Sequence, residues 1–181
     1  MTDRELIHGC LKADACCQRM LFDQFAGRMM TVCLRYGQDR REAEDILQEA
    51  FIQVFASLSQ FRFLGSLEGW IRRITVNTAL RILQHKKIQF SAIGDNTLDH
   101  AVLENDALSA LSAEEILVMI SQLPPGYRLV FNLCVMEGYD HNEIAKMLDI
   151  NPATSRSQLS KARSLLRTKL EESQKLPHGY E

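Results

Sequence analysis

The stretch DHNEIAKMLDINPATSRSQLSKARSLL, Asp140 to Leu166, limits the fold more than any other part of the chain. A short amphipathic helix there buries Ile144, Ala145 and Leu148, a tight turn follows, and a longer helix turns Leu159, Ala162, Leu165 and Leu166 inward. Ala145 is small enough to keep the two helices close. Asp149 stands where the chain needs a left-handed residue, a role that Gly fills best and Asp or Asn tolerates. Asn151 caps the second helix, and Pro152 takes its first position, where a missing N–H costs nothing. The spacing predicts a helix-turn-helix. Its outward face carries Thr154, Ser155, Arg156, Ser157, Gln158, Ser160 and Lys161, a mixture able to bond base edges and phosphates from the first half of a recognition helix. Arg163, Arg167 and Lys169 follow and suit phosphate contact or a partner surface better than base readout.

The rest of the chain reads as helix too. Among 181 residues there are 9 Gly and 4 Pro, and apolar residues recur at helical spacing. Thr2 with Glu5, Asp39 with Glu42, Ser112 with Glu115 and Asp140 with Glu143 each have the capping-box spacing that opens a helix. Helices are expected at about 3–12, 15–36, 40–58, 67–85, 113–122, 126–136, 141–148 and 153–172. Between Ile88 and Leu111 periodicity is weak and a Gly-Asp-Asn turn signal occurs, which suits a tether. The fold class expected is therefore all-α, with two small helical domains, 1–88 and 112–175, joined by an acidic linker, 89–111, and followed by a tail, 176–181.

The formal net charge of −2 hides a strong pattern. Five Lys or Arg and no acid lie between Arg72 and Lys87, six acids and no Lys or Arg between Ile88 and Tyr127, and five bases and no acid between Ile150 and Leu170. Two basic segments flank an acidic divider. Because phosphate neutralisation supplies most non-specific affinity, a chain of this net charge should bind duplex DNA poorly by itself.

No run of about 18 apolar residues occurs, and Asp3 and Glu5 stand where a signal peptide needs a basic and then an apolar stretch, so a cytoplasmic location is expected. Cys10, Cys16, Cys17, Cys33 and Cys134 are odd in number, form no C-x-x-C pair and read as small buried hydrophobes. No His pair at i, i+4 and no Cys/His cluster points to a metal, and no cofactor is expected. Neither a phosphate-cradling Gly loop nor a nucleophile and base placed by spacing is present, so an enzyme is not the expectation.

Upstream, AEDILQEAFIQVFASLSQF puts Asp45, Gln48 and Glu49 on neighbouring turns of one exposed face and leaves Ile46, Leu47, Phe51, Val54 and Phe55 to the core. An acidic patch on a DNA binder points to a protein surface. After it, FRFLGSLEGWIRRITVNTALRILQHKK gives a loop, Phe61 to Ser66, and a helix bearing Arg72, Arg73, Asn77, Arg81, Lys86 and Lys87. Such a loop beside a basic helix can hold unstacked bases and their phosphates, although Phe61 and Trp70 read first as core residues.

The segments GCLKAD, CLRYGQDRREAEDILQEAFIQVF, FRFLGSLEGWIRRITVNTAL, LPPGYRLVFNLCVMEGYDHNEIA and TSRSQLSKAR, in this order and spacing, closely resemble bacterial sigma factors of the extracytoplasmic-function group of the sigma-70 family. The resemblance implies a protein without catalytic activity that joins core RNA polymerase and directs it to promoter DNA. It implies that Asp45, Gln48 and Glu49 dock on the clamp coiled coil of the largest polymerase subunit. It further implies that Phe61, Arg62, Phe63, Arg72, Arg73, Asn77 and Arg81 serve the minus-10 element, with Asn77 the leading base contact. Thr154, Arg156, Ser157, Gln158, Ser160, Lys161 and Arg163 would serve the minus-35 element, and the second domain would touch the flap of the other large subunit. A monomer is implied, held in check by an anti-sigma factor that in many relatives is a membrane protein, with the linker's acids following a basic channel of the polymerase. Gln84, Asp149, Gln158 and Ser160 depart from the residues usual in the family, so promoter preference is not transferable from a relative.

Two other classes compete. A dimeric helix-turn-helix regulator predicts a palindromic site, since two-fold protein symmetry is mirrored in the operator. A helical adaptor that binds polymerase without promoter selectivity predicts that Arg156→Ala leaves promoter choice unchanged.

Overall fold

A computed structural model describes residues 2–91 and 113–175, and these are helical, with no strand among the described residues. The expected linker, the Ser112 cap and the tail 176–181 lie wholly or largely outside them. The chain divides into two compact units, Met1–Asp99 and His100–Glu181.

The first unit holds α1 (Asp3–Leu11), α2 (Ala15–Tyr36), α3 (Arg40–Ser57) and α4 (Leu67–Ser91), with one 3-10 turn, Leu58–Gln60, after α3. Local chemistry sets each start. Thr2 and Glu5 form a full capping box, the Thr2 N–H donating to Glu5 Oε2 at 2.7 Å and the Glu5 N–H to Thr2 Oγ1. Asp14 accepts the Cys16 N–H at 2.9 Å and Asp39 the Glu42 N–H at 2.7 Å. The second box is shifted, because the Glu42 carboxylate accepts the N–H of Gln38 rather than that of the cap. Gly37 lets α2 turn tightly into α3: a Cβ there would lie 2.9 Å from the Ala43 backbone nitrogen.

Helices α2, α3 and α4 pack on one another around Leu21, Phe25, Met29, Phe51, Val54 and Ile71, and α1 closes one end with Leu6, Ile7 and Cys10. Phe22 meets Phe51 edge-on at 4.7 Å between ring centres. Each fully buried large apolar side chain here contributes about 1.5–3 kcal/mol, which is what holds these helices against their conformational entropy. Phe61 and Trp70 pack on this core as partly buried residues.

The second unit holds α5 (Ala113–Ser121), α6 (Pro125–Phe131), α7 (His141–Leu148) and α8 (Pro152–Lys175). Its core is Ile120, Leu123, Val130, Leu133, Ile144, Leu159 and Ala162. The single helix expected over 126–136 is divided: after Phe131 the chain widens into a π-helical turn, Asn132–Met136, in which the Glu137 N–H reaches back to the Asn132 carbonyl at 3.0 Å. Helices α4 and α8 run further than expected, to Ser91 and Lys175.

Three expectations need correction. Ser155 is fully buried rather than outward, and Leu165 is 39% exposed rather than inward. The inner stripe of α8 is Ser155, Leu159, Ala162 and Leu166, a set spaced i, i+4, i+7, i+11 that leaves Leu165 off the seam. The cysteines are not uniformly core residues: Cys10 and Cys33 are buried, Cys17 and Cys134 are partly so, and Cys16 is exposed. Burial pushes the Cys33 thiol up to about 12 and keeps it protonated.

Candidate nucleic-acid interface

In the second unit the turn between α7 and α8 is locked at three points. Asp149 has φ 53° and ψ 51°, the left-handed conformation its position demanded, and the Ile150 N–H returns to the Ala145 carbonyl at 3.0 Å. Asn151 Oδ1 accepts the Ala153 N–H at 2.8 Å, which starts α8. His141 Nδ1 and the buried Ser155 Oγ share a hydrogen bond of 2.9 Å, tying the first turn of α7 to the first turn of α8. Ser155 is thus a structural residue, and only its partner across 14 positions reveals this.

Asp140 completes the frame with a full capping box. The backbone N–H of Glu143, then that of Asn142, hold its carboxyl below the usual range, because both bonds favour the ionised form.

On this frame α8 exposes Thr154, Arg156, Ser157, Ser160, Lys161 and Arg163. Gln158 is half-buried and lies over Gly126, where an added Cβ would stand 3.3 Å from its Nε2. Lys161 sits with its ammonium 5.9 Å from the centre of the Tyr127 ring. Gln158 and Lys161 therefore border α6, and the open strip is Thr154, Arg156, Ser157, Ser160 and Arg163.

In the first unit Asp45 and Gln48 are exposed on α3 and Glu49 is half-buried. Ile52 continues their strip at i, i+3, i+7 from Asp45 and is 59% exposed, an apolar residue in a charged neighbourhood that the sequence reading left out. Its signal was the same helical spacing. Glu49 is not alone: Arg81 Nη2 of α4 donates to its Oε1 at 2.8 Å.

The loop before α4 is organised by rings. Phe61 lies tilted against Trp70 at 5.4 Å and against Phe63 at 4.8 Å. Phe63 adopts φ 57°, an uncommon backbone for a bulky residue, and the Arg4 guanidinium of α1 lies 5.2 Å over its ring. This conformation thrusts out Leu64, 89% exposed, the second residue the sequence reading did not single out. Ser66 Oγ accepts the Gly69 N–H at 3.1 Å as α4 begins. Arg62, Arg73 and Asn77 are exposed and Arg72 is half-buried; Arg73, Asn77 and Arg81 recur every fourth residue along one strip. Arg28 of α2 pairs with Glu68 in the first turn of α4 and steadies that end.

Two family models match the chain: Sigma-70 region 2 over residues 21–88, and Sigma-70 region 4 over residues 113–166. The chain belongs to the extracytoplasmic-function group of the sigma-70 family. It is 30% identical, over 81% of its length, to the ECF RNA polymerase sigma factor SigE of Mycolicibacterium smegmatis, and spans 59% of that relative. It is 25% identical to the ECF RNA polymerase sigma-E factor of Haemophilus influenzae, with 94% of this chain and 96% of the relative covered. Among solved structures it resembles the sigma factor RpoE from Bartonella quintana, crystallised with the anti-sigma factor NepR, at TM-score 0.58 and 17% identity over 84% of this chain and 96% of that one. The likeness to these coordinates is one of fold. As a sigma factor the chain directs promoter-specific transcription initiation by RNA polymerase.

The described residues contain no helix long and apolar enough to cross a membrane, and no group of three or more His, Cys, Asp or Glu able to hold a metal ion.

Proposed function

We propose that the two units divide the work of initiation. The first docks core polymerase through Asp45, Gln48, Glu49 and Ile52 of α3 and takes the minus-10 strand along Phe61, Arg62, Phe63, Leu64, Arg72, Arg73 and Asn77. The second reads the minus-35 duplex with Thr154, Arg156, Ser157 and Ser160, while Gln158, Lys161 and Arg163 border the groove and its phosphates. The observation that carries this reading is the locked start of α8, which fixes a polar, basic strip on a rigid scaffold, the condition for base-edge contacts of defined geometry.

The chain would have no catalytic activity of its own and would act in the cytoplasm beside polymerase. The structural neighbour from Bartonella quintana was crystallised with an anti-sigma factor, which supports a partner of that kind for this chain. The acidic strip of α3 supports polymerase docking, since acids repel DNA and suit a basic protein surface.

Mixing the purified chain with core RNA polymerase tests the reading. A one-to-one complex that protects promoter DNA, while the chain alone binds duplex weakly, is the expected result. A stable dimer protecting a palindrome without polymerase overturns it in favour of an ordinary regulator.

A further inference from the structure

The sequence assigns Glu49 to a polymerase face and Arg81 to a DNA face, yet in the folded unit the two side chains hold each other. Arg81 Nη2 donates to Glu49 Oε1 at 2.8 Å across the α3–α4 seam, and both remain in reach of solvent, 52% and 38% exposed. We infer that Arg81 is a positioning residue for the polymerase-docking carboxylate of Glu49 rather than a contact to DNA. The inference rests on the proposed role of Glu49.

Three observations lead there. Glu49 follows Asp45 by one turn and is less exposed than either Asp45 or Gln48, so its side chain lies at the edge of the acidic strip, where Arg81 of α4 reaches it. A guanidinium bonded to one carboxylate oxygen removes much of the rotamer freedom that a long acidic side chain loses on docking, so part of that entropy is surrendered before polymerase arrives. A carboxylate can accept several donors and the Glu49 side chain keeps 38% of its exposure, so a basic partner can bind it beside Arg81.

The same pair disfavours a DNA role. A phosphate brought to Arg81 would compete with a carboxylate already bonded to it and would face that carboxylate as a like charge. Along the α4 strip, Arg73 and Asn77 stand two turns and one turn before Arg81, away from the Glu49 pair, and leave phosphate and base contacts to that end of the strip.

The test separates core binding from DNA binding. Affinity for core polymerase is measured for Arg81→Ala, Arg81→Lys, Glu49→Gln and the double variant Glu49→Gln/Arg81→Ala. Each preassembled holoenzyme is then titrated with a minus-10 single strand over a range of salt. Arg81→Ala is expected to weaken core binding about two- to fivefold, the scale of an exposed ion pair, with Arg81→Lys restoring most of it. Glu49→Gln should weaken core binding about tenfold, and Arg81→Ala should add nothing to it. Strand affinity and its salt slope should be unchanged in Arg81→Ala. Unchanged core affinity in Arg81→Ala beside a weakened Glu49→Gln overturns the inference alone. So does a salt slope for strand binding that falls by about one, because that is the mark of a lost phosphate contact. If Glu49→Gln binds core as tightly as the native chain, the docking role of Glu49 fails and the inference with it.

Discussion

The two units reach rigid binding surfaces by different means. In the second, most of what shapes the surface is local: a capping box at Asp140, a left-handed Asp149 and an Asn151–Pro152 start, joined by one His141–Ser155 bond between the two helices. In the first, the surface depends on contacts between distant positions: Arg81 with Glu49, Arg28 with Glu68, Arg4 over Phe63 and Phe61 against Trp70. A duplex-reading helix needs one element held at one angle. On the proposed division of work, the first unit meets both a protein and an unpaired strand and must instead align a loop and three helices, which only tertiary contacts can do.

The largest test of this contrast is a cavity. Ile71 is fully buried where α4 meets the first unit's core, and Ile71→Ala should cost about 2–5 kcal/mol. Urea unfolding followed by two probes, one per unit, should show the first unit's midpoint falling while the second's holds. A common shift of both midpoints would mean that the units fold as one.

Next in size is Arg156→Ala. It should cost about 1–3 kcal/mol of discrimination at one base pair of the minus-35 element and leave the melting of the second unit unaltered. Loss of affinity spread evenly over all sequences would make Arg156 a phosphate contact instead.

Asn151→Ala removes only a cap and should cost about 1 kcal/mol in thermal unfolding of the second unit. If recognition there is a matter of local geometry, minus-35 binding should fall with it, whereas minus-10 strand binding should not. The smallest effect belongs to Asp140, which is exposed. Its carboxyl titrates lower in the fold than in the unfolded chain, so its stabilisation is present at neutral pH, above the ordinary value of 3.8, and is lost as pH falls through the depressed folded value. The stability difference between the native chain and Asp140→Asn, followed by circular dichroism, should be constant above about pH 5 and shrink below the ordinary value.

This contrast also explains what the sequence could reveal. The helix-turn-helix was readable because its determinants are side chains acting on their own backbone at fixed offsets: Asp140 on Asn142 and Glu143, Asn151 on Ala153, Asp149 on its own φ. The all-helical class followed from the same caps and from helical periodicity. Periodicity alone did not fix the phase of α8, because Leu165 and Leu166 compete for the seam and a buried Ser is chosen by a partner, His141, that no spacing announces. The Glu49–Arg81 pair was hidden for the same reason. Its members are 32 residues apart, and sequence sorts charges by sign where packing sorts them by neighbour. Ile52 and Leu64 were passed over because exposed apolar residues are ordinary on any surface, and only their place beside an acidic strip and at a loop tip gives them meaning.

The most direct measurement is start-site mapping on genomic DNA with core polymerase, comparing the native chain, Arg156→Ala and the pair Asp45→Ala/Glu49→Ala. The account predicts discrete starts preceded by two spaced elements, redistributed among promoters by Arg156→Ala and abolished by the α3 pair. Starts that survive the α3 pair, or a promoter set that Arg156→Ala leaves untouched, would contradict it.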